Sequence, residues 1–330
     1  ITVNALPEIT PLDEHNRRLI ANVHPPDWVN PRPEGRYNLV VVGAGTAGLV
    51  AAAGAAGMGA KVALVERHLM GGDCLNVGCV PSKTLIRAGR GAAHVRAAAR
   101  FGIARTEDAA VDFAAVMERV RRVRADISPH DSARRFRDEY GVDVFLGCGR
   151  FTGADTVEVE GASLGFERAL IATGARATVP PIPGLAEAGF LTNDTVFNLT
   201  GQPARLVVLG GGPIGCELGQ AFTRLGTRVT IIEMGECLLQ REDADAVEIL
   251  RTAFERDGVD VRVGTVLDRV EVRGDTKVLH LTSSGAPATL EADAILVAVG
   301  RTPNVDGLGL EAAGVRFSSK GIEVDEHLRT

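Results

Sequence analysis

A pattern of strand, glycine-rich turn, helix and strand occurs twice in this chain and constrains its fold more than any other feature. In the first copy, a short apolar run is stopped by a G-x-G-x-x-G turn at 43–48, and the next strand at 61–66 ends in Glu66. In the second copy, the turn lies at 210–215 and the next strand ends in Glu233. Each acid lies at the same sequence distance from the first glycine of its turn. Two copies with identical offsets predict two similar nucleotide-binding domains of α/β class.

The segments around the two copies extend this prediction to two Rossmann-like, three-layer domains. Helices are expected at about 46–58 and 213–225, and longer helical patterns run at about 81–99 and 112–138. Residues 175–200 are rich in proline and glycine, which is typical of a crossover between domains. Short apolar runs predict further strands near 143–147, 155–160, 166–172, 259–263, 266–273, 277–283 and 293–298.

Residues 1–36 precede the repeat and are polar and proline-rich. We expect one short helix near 13–22 followed by an extended arm, and we interpret the whole segment as a solvent-exposed leader. The first ten residues lack a basic start followed by an apolar core, so no signal peptide is predicted.

Composition excludes several function classes. The net charge of −6 argues against nucleic acid as the main partner. No uninterrupted apolar run approaches the ~18 residues that a membrane-spanning helix needs. Five cysteines, an odd and sparse set, do not form the disulfide framework of a small secreted domain. A reducing compartment, the cytoplasm, is therefore predicted.

The first turn has the residues that a pyrophosphate site requires. Gly43 makes the tight turn, Gly45 lets backbone approach the pyrophosphate, and Gly48 lets helix and strand pack closely. The helix N-terminus offers free N–H groups to the phosphates, and Glu66 can accept hydrogen bonds from ribose hydroxyls. A turn that serves packing alone is the alternative, which the two strands and the acid disfavour.

The second turn, at 210–215, is the second predicted nucleotide site, and Glu233 bears on its cofactor. A carboxylate repels the 2′-phosphate of NADP by roughly 4 kcal/mol at a separation of about 4 Å and an effective dielectric constant of about 20. No arginine lies in the five residues after Glu233, and the nearest are Arg228 and Arg241. We therefore predict NAD(H) in preference to NADP(H).

The segment GGDCLNVGCVPSK at 71–83 is the most specific in the chain. Cys74 and Cys79 are close enough in sequence to close a disulfide around one helical turn, and Pro81 suits the first turn of the helix that follows. A thiolate at a helix N-terminus is stabilised, and Lys83 adds a positive charge one turn later. The glycines of this segment permit close backbone approach to a flat ligand. A redox-active disulfide is the prediction.

Two alternatives for the cysteine pair are weaker. A zinc site usually needs four ligands, and only His68 and His94 lie nearby in sequence, so no metal is predicted. Buried, unpaired cysteines are the other alternative. We give that interpretation to Cys148, Cys216 and Cys237, which lack such a setting and are expected to be small buried residues.

Over residues 37–330 the sequence resembles the FAD-dependent pyridine nucleotide–disulfide oxidoreductases, which include dihydrolipoamide dehydrogenase, glutathione reductase and mercuric reductase. Three segments carry the resemblance: 71–83, Ala172-Thr173-Gly174 beside the flavin, and the GRTPN segment at 300–304 that ends the NAD(P) domain. The resemblance implies an N-terminal extension at 1–36, an FAD-binding domain at 37–180 to which 305–330 begin to return, and an NAD(P)-binding domain at 181–304.

The resemblance also implies roles for the site residues. Cys79 would be the charge-transfer thiolate, Cys74 the interchange thiol that meets substrate, and Lys83 would lie beside the flavin in an ion pair with Glu217. Electrons would pass from NAD(P)H through flavin to the Cys74–Cys79 disulfide, or the reverse. The implied cofactor-binding residues are Gly43, Gly45, Thr46, Ala47, Gly48, Glu66, Arg67, Gly72, Asp73, Cys148, Gly149, Ala172, Thr173, Gly174, Gly210, Gly212, Pro213, Ile214, Gly215, Glu233, Gly300 and Arg301.

Some positions depart from the family. Asp73 stands where members usually have a small polar residue or glutamate, and Pro213 stands where several have an aromatic gate over the flavin. The family's C-terminal dimerisation domain and the segment that completes its FAD site are not among these 330 residues. A chain that ends at Thr330 is therefore expected to hold FAD weakly, and a homodimer is expected for the full-length protein.

The activity within the family is predicted from local similarities. Residues 241–243 and 310–315 resemble mercuric reductases, whereas Glu233 and the turn at 210–215 resemble dihydrolipoamide dehydrogenases. We predict a mercuric reductase-like enzyme acting on a small-molecule disulfide or Hg(II)-type substrate, with dihydrolipoamide dehydrogenase as the alternative. A redox-sensing flavoprotein without efficient turnover is the alternative from another class.

Overall fold

The computed structural model describes residues 9–104, 110–283 and 285–330. It confirms the α/β class and the two predicted strand–turn–helix–strand copies. The helices are α1 Glu14–Val23, α2 Thr46–Gly57, α3 Gly72–Asn76, α4 Cys79–Arg96, α5 Phe113–Ile127, α6 Ala133–Asp138, α7 Leu185–Ala188, α8 Pro213–Leu225 and α9 Ala244–Asp257.

The strands alternate with these helices in both halves of the chain. They are β1 Tyr37–Val42, β2 Val62–Glu66, β3 Asp143–Leu146, β4 Arg150–Gly153, β5 Thr156–Val159, β6 Ala162–Ile171, β7 Ala175–Ala177, β8 Arg205–Leu209, β9 Arg228–Ile232, β10 Asp260–Arg262, β11 Thr265–Arg273, β12 Thr276–Ser283, β13 Ala286–Ala292, β14 Ala294–Val297, β15 Arg301–Pro303, β16 Phe317–Ser318 and β17 Gly321–Ile322.

The chain forms two compact units. Residues 81–120 belong to the second of them, although they were expected in the first domain, because Leu85, Phe113 and Met117 join the core that contains Phe222 of α8. The first unit comprises Ile1–Val80, Arg121–Arg176 and Thr302–Thr330, and the second comprises Pro81–Val120 and Ala177–Arg301.

The first unit is built on a six-stranded sheet in the order β3-β2-β1-β6-β5-β4. Strands β3, β2, β1 and β6 are parallel, whereas β6, β5 and β4 are antiparallel. Because successive side chains of a strand point to opposite faces, Val41 packs in the core beneath α1, α2 and α6, while Val40 and Val42 pack in the core formed with β4 and β5. Burial on both faces explains the continuous apolar run of β1.

The second unit repeats this design. Its parallel sheet has the order β10-β9-β8-β14, and β11, β12 and β13 form a separate antiparallel sheet. Val208 of β8 packs with Phe222 and Phe254 on the helical face, while Val207 and Leu209 pack against the antiparallel sheet on the other. In each unit a parallel sheet lies between helices and antiparallel strands, as predicted for three layers.

Several elements differ from the sequence predictions. The pattern at 112–138 is interrupted at Pro129, which has no N–H to continue the α-helical hydrogen bonds, and a 3-10 helix at Ser128–Asp131 separates α5 from α6. The sequence patterns did not predict helices α3, α7 and α9 or strands β4, β7, β13, β15, β16 and β17. For α9 a local signal exists, since Asp243 precedes it and Gly258 ends it in left-handed geometry at φ +86°.

In its described part, residues 9–36, the N-terminal segment is not a solvent-exposed leader, contrary to our expectation; residues 1–8 lie outside the described residues. Helix α1 forms where predicted, but Leu19 and Val23 are fully buried in the core of the first unit. Beyond α1, Trp28 donates to the Val144 carbonyl at the sheet edge at 3.1 Å. Residues 9–30, called the arm below, therefore fold as part of the first unit.

Candidate functional site

In the first glycine-rich turn, two glycines serve packing and one leaves space. Gly43 has φ +106°, and a Cβ there would lie 2.4 Å from the Ala172 carbonyl oxygen. A Cβ at Gly48 would lie 1.8 Å from the Gly43 carbonyl oxygen. A Cβ at Gly45 would meet only the Cα of Gly72, at an ordinary 3.7 Å. The protein itself does not require glycine at position 45, so its bare backbone suits the close approach of a phosphate ligand.

The second turn has the same division of roles. Gly210 has φ +104°, and a Cβ there would lie 2.5 Å from the Ala298 carbonyl oxygen. A Cβ at Gly215 would lie 2.0 Å from the Gly210 carbonyl oxygen, whereas Gly212 has no neighbour within 4 Å of a built Cβ. Gly212 is the N-cap of α8 and supplies no side-chain cap. The N–H groups at this helix start are therefore available to an anionic ligand.

Glu66 connects the first turn to the end of β2. Its side chain is buried, and its two oxygens accept from the Ala44 and His68 N–H groups, both at 2.7 Å. Burial raises the pKa of the Glu66 carboxyl, and these backbone hydrogen bonds oppose the shift. A carboxylate has about four acceptor sites, so Glu66 retains capacity to accept from a ribose hydroxyl.

Glu233 makes the same contacts in the second copy. Its oxygens accept from the Gly211 N–H at 2.7 Å and the Gly235 N–H at 2.8 Å. These are the residues that correspond, by offset, to the partners of Glu66. The repeat therefore extends from the sequence to the hydrogen bonds around each acid.

Residues 71–83, called the redox segment below, lie directly against the first turn. A Cβ at Gly72, the first residue of α3, would lie 2.6 Å from the Cα of Gly45. A Cβ at Gly78 would lie 2.8 Å from the Asp73 carbonyl oxygen, and Gly71 has φ +87°. At Gly72 and Gly78 the absence of a side chain permits close approach to protein backbone, and at Gly71 it leaves space for the Leu75 side chain.

Cys74 lies within α3 and Cys79 begins α4, and the structure holds both as unbridged thiols. Burial raises the pKa of the Cys74 thiol to about 11, and its hydrogen bond with Cys79 acts in the same direction. A hydrogen bond with Thr46 opposes the shift, while the charge of Asp131 adds to it. The two sulfurs are thus in hydrogen-bond contact beside the start of α2.

Lys83 and Glu217 form the predicted pair. The Lys83 Nζ lies 2.6 Å from Glu217 Oε2, joining α4 to α8 within the second unit. Both side chains are exposed, at 59% and 44%. An exposed pair of this kind contributes only about 0–1 kcal/mol to stability. Its geometry is therefore compatible with a role other than stabilisation.

Residues 172–174 and Asn304 meet in the first unit. Thr173 Oγ1 donates to the Asn304 carbonyl at 2.7 Å, and Asn304 Nδ2 donates to the Thr173 carbonyl at 2.9 Å. Gly174, at φ +65°, accepts from the Asn304 N–H at 3.0 Å. Asn304 was not among the predicted site residues, although it lies inside a segment that the sequence analysis singled out.

The chain resembles known proteins in sequence and in fold. The sequence profile described as "Pyridine nucleotide-disulphide oxidoreductase" matches residues 37–330. The chain belongs to this family. The match covers both units and confirms the resemblance that residues 71–83 suggested.

Relatives within the family have several names. The chain is 39% identical over 295 residues to a mercuric reductase of Bacillus cereus, covering 89% of this chain and 46% of that protein. It is 35% identical to a dihydrolipoyl dehydrogenase of Acholeplasma laidlawii, covering 89% and 86%. The HOCl-induced flavoprotein disulfide reductase RclA from Escherichia coli superposes with a TM-score of 0.76 at 30% identity, covering 88% of this chain and 62% of that one. The chain spans about half the length of the mercuric reductases that it matches.

The other three cysteines of this family member differ from one another. Cys216 is buried, as predicted, and donates to the Gly211 carbonyl at 3.3 Å. Cys237 is exposed and Cys148 is only partly buried, so the prediction of burial is wrong for both. Cys237 follows β9 in an irregular loop that places its side chain outside the core. Burial raises the pKa of Cys148, which, with Gly149, is among the implied cofactor-binding residues.

Two contacts of the redox segment could not be predicted from the sequence. Asn76 is buried, and its carbonyl accepts from Arg124 Nη1 at 2.8 Å. Asp131 carries a charge that acts on Cys74. Arg124 and Asp131 lie far from the cysteines in sequence and match no motif, so only the folded chain identifies them.

A basic concavity of about 440 Å³ lies in the second unit, away from the glycine-rich turns. Helices α4, α8 and α9 all end here, and Arg96 donates to the Arg224 carbonyl at 2.7 Å. Arg224 is in turn paired with Asp257 at 2.7 Å. Because helix C-termini favour cations, these contacts account for Arg96 and Arg224 without a ligand.

Neither a membrane helix nor a metal cluster was found in the part of the chain that the structure describes. None of the described helices is long and apolar enough to cross a bilayer. Among the same residues, no group of three or more His, Cys, Asp or Glu side chains could hold a metal ion.

Proposed function

We propose that this protein is an FAD-dependent disulfide oxidoreductase that passes electrons from a nicotinamide cofactor to the Cys74–Cys79 pair. The observation that carries the proposal is the contact between the redox segment and the first phosphate turn, where Gly72 packs on Gly45. The family has FAD and a pyridine nucleotide as cofactors, and the chain supplies a turn for each.

The residues of the first unit fit FAD. Gly45 leaves open space at the start of α2, and the N-terminus of that helix has no side-chain cap. Glu66 has acceptor capacity at the end of β2, where a ribose would lie. We therefore assign residues 37–180, with 305–330, to flavin binding and 181–304 to the nicotinamide cofactor, except that residues 81–120 pack in the second unit. When bound, FAD supplies the hydride chemistry.

The two electrons reduce the Cys74–Cys79 disulfide. Reduction breaks the S–S bond and gives one thiolate and one thiol, with a single proton taken up. We assign the thiolate to Cys79, which is the more exposed of the two, and the thiol to Cys74, whose raised pKa keeps its proton. A substrate disulfide is then reduced by thiol exchange, and the Cys74–Cys79 bond forms again.

Lys83 and Glu217 are assigned to the flavin side of this chemistry. The ion pair holds the Lys83 ammonium in place at 2.6 Å from Glu217 Oε2. A fixed positive charge one turn after Cys79 stabilises negative charge that develops near the start of α4.

For the nicotinamide site we propose NAD(H) in preference to NADP(H). Glu233 accepts from Gly211 and Gly235 at the second turn, so its charge is held where the adenosine ribose of the cofactor would lie. A 2′-phosphate there would meet this carboxylate.

The substrate class that we favour is Hg(II) or a small disulfide, because two mercuric reductases are 39% identical to the chain. Reduction of a lipoamide-type disulfide is the second candidate, supported by the dihydrolipoyl dehydrogenase that the chain covers to 86%. We also propose a homodimer and a cytoplasmic location, the latter because an accessible dithiol needs a reducing compartment.

The test is a pair of single substitutions in the FAD-loaded protein. Two-electron reduction of the unmodified protein should give the long-wavelength absorbance of a thiolate in contact with oxidised flavin. Cys79→Ser should abolish this absorbance, whereas Cys74→Ser should leave a thiolate that shows it. Steady-state NADH oxidation with Hg(II), lipoamide and glutathione disulfide then identifies the substrate class. A band that survives Cys79→Ser contradicts the assigned roles, and no turnover with any acceptor favours a redox sensor.

A further inference from the structure

The arm, residues 9–30, lies outside the region 37–330 that matches the family, yet it is linked to the redox segment by hydrogen bonds through Arg124. Helix α1 begins at Glu14, where the Asn16 N–H donates to its N-cap Asp13 at 2.9 Å. Asn16 itself is fully buried, and its Nδ2 donates to the Pro11 carbonyl at 2.7 Å. This orientation leaves the Asn16 side-chain oxygen as an acceptor inside the first unit.

Arg124 of α5 donates to that acceptor and to the redox segment at once. Its Nη2 lies 2.9 Å from Asn16 Oδ1, and its Nη1 lies 2.8 Å from the carbonyl oxygen of Asn76. Asn76 lies between Cys74 and Cys79 in sequence. One buried guanidinium therefore bridges the arm and the turn that carries the two cysteines.

The Arg124 guanidinium is charged and buried, and the free-energy cost of leaving it without acceptors holds the bridge in place. Arg124 is only 2% exposed, and desolvation lowers the pKa of its guanidinium to about 10. A buried donor that loses its acceptor costs free energy, and more when the donor is charged. Removal of the Asn16 oxygen would therefore force Arg124 to move, and its hydrogen bond to Asn76 would change with it.

Displacement of Asn76 would change the positions of both cysteines. Asn76 Nδ2 donates to the carbonyls of Met70 and Gly72, at 3.0 and 2.8 Å, on the Cys74 side of the turn. On the other side, Cys79 begins α4 three residues later. The side chain and the carbonyl of Asn76 thus fix the turn from within.

The arm also contacts the residue that precedes the redox segment. The Met70 N–H donates to the carbonyl of Val23, the last residue of α1, at 3.1 Å. Asp13 also pairs with Arg121, one turn before Arg124 on α5. The arm is therefore anchored on both sides of the bridge.

We propose that the arm is a positioning element of the redox site, in which Asn16, through Arg124, holds the Asn76 carbonyl and so sets the dithiol–disulfide equilibrium of Cys74 and Cys79. The inference rests on the proposed function, since it assumes that this pair cycles. The bridge is observed with the two thiols unbridged. Its loss is therefore expected to favour the disulfide.

The test compares two substitutions with a matched control in the full-length protein with FAD bound. Asn16→Ala removes the acceptor that Arg124 uses on α1. Arg124→Lys replaces the guanidinium by a single ammonium group and so removes one of the two hydrogen bonds of the bridge. Asn22→Ala is the control, because Asn22 lies on the same helix and donates at 2.8 Å to Ser128 Oγ, not to the Arg124 bridge. Each protein is equilibrated with glutathione and glutathione disulfide. The disulfide takes two electrons and one proton from the thiol–thiolate pair and a second proton from water, and becomes two thiols. The oxidised fraction is measured by thiol labelling and peptide mass spectrometry, and folding by melting temperature.

We expect Asn16→Ala and Arg124→Lys to shift the equilibrium toward the disulfide at least threefold, which is about 14 mV for a two-electron couple. Asn22→Ala should shift it by less. If Arg124→Lys does not fold, Asn16→Ala decides alone. A smaller shift in Asn16→Ala, a shift toward the dithiol, or an equal shift in Asn22→Ala overturns the proposal. If the unmodified protein forms no Cys74–Cys79 disulfide, the proposed function itself fails, and the positioning role fails with it.

Discussion

At the scale of residues, a single substitution at Glu233 tests the choice between NADH and NADPH while it keeps a hydrogen-bond acceptor for the second turn. Glu233→Gln keeps an oxygen that can accept from Gly211 or Gly235 but removes the charge that would meet a 2′-phosphate. A repulsion of about 2 kcal/mol after solvent screening corresponds to a preference of roughly thirtyfold. We expect the unmodified protein to prefer NADH in kcat/KM by about this factor and the variant to lose most of it. Exposed Glu236→Gln is the control; a protein that uses NADPH as well as NADH from the outset contradicts the argument.

The Cys74 thiol has its own pH dependence. Burial and the hydrogen bond with Cys79 raise its pKa to about 11, so the thiol keeps its proton below that pH and becomes thiolate above it. Only the thiolate reacts with iodoacetamide. The alkylation rate of reduced Cys74 should therefore rise about tenfold per pH unit between about pH 8 and 10, while free N-acetylcysteine, with a pKa of about 8.5, levels off. Peptide mass spectrometry measures both rates, and a plateau for Cys74 below pH 9 would contradict the assignment.

At the scale of elements, the first turn separates glycines that serve the fold from one that serves a ligand. A Cβ at Gly48 would lie 1.8 Å from a backbone oxygen, whereas a Cβ at Gly45 meets nothing closer than 3.7 Å. Gly48→Ala should lower the free energy of unfolding by about 1–3 kcal/mol or more through overpacking. Gly45→Ala should leave it within about 0.5 kcal/mol but reduce FAD occupancy several-fold. Urea unfolding and the flavin-to-protein absorbance ratio measure the two effects; unchanged occupancy in Gly45→Ala argues against a pyrophosphate at this turn.

At the scale of the whole molecule, each unit has its own cores, so damage to one should remain within it. Asp257 is 11% exposed and pairs with Arg224, joining α9 to α8 in the second unit. Removal of one partner of a buried pair costs about 3–5 kcal/mol. Asp257→Ala should therefore lower amide-exchange protection in the second unit and leave β1 and β2 of the first unchanged. Asp138→Ala, which removes an exposed partner of Arg137, is the control. Equal loss of protection in both units would show that they unfold together.

Local patterns determined much of this protein. The two strand–turn–helix–strand copies, the acids at their ends and the cysteine segment were all predictable, because each depends on neighbours in sequence. A buried strand needs a continuous apolar run, and Gly43 and Gly210 are required by positive φ. The Lys83–Glu217 pair followed from family resemblance and is confirmed.

Only the tertiary structure decided which distant side chains meet. The arm is polar in sequence, yet Asn16 is buried because Arg124 and Pro11 satisfy its side chain. A buried polar group is stable only when its partners are in place, and the residues that supply them are fixed by the packing of α1 on α5, not by any local pattern. For the same reason, the sequence identifies Cys74 and Cys79 as a pair, but the fold determines what holds the turn between them.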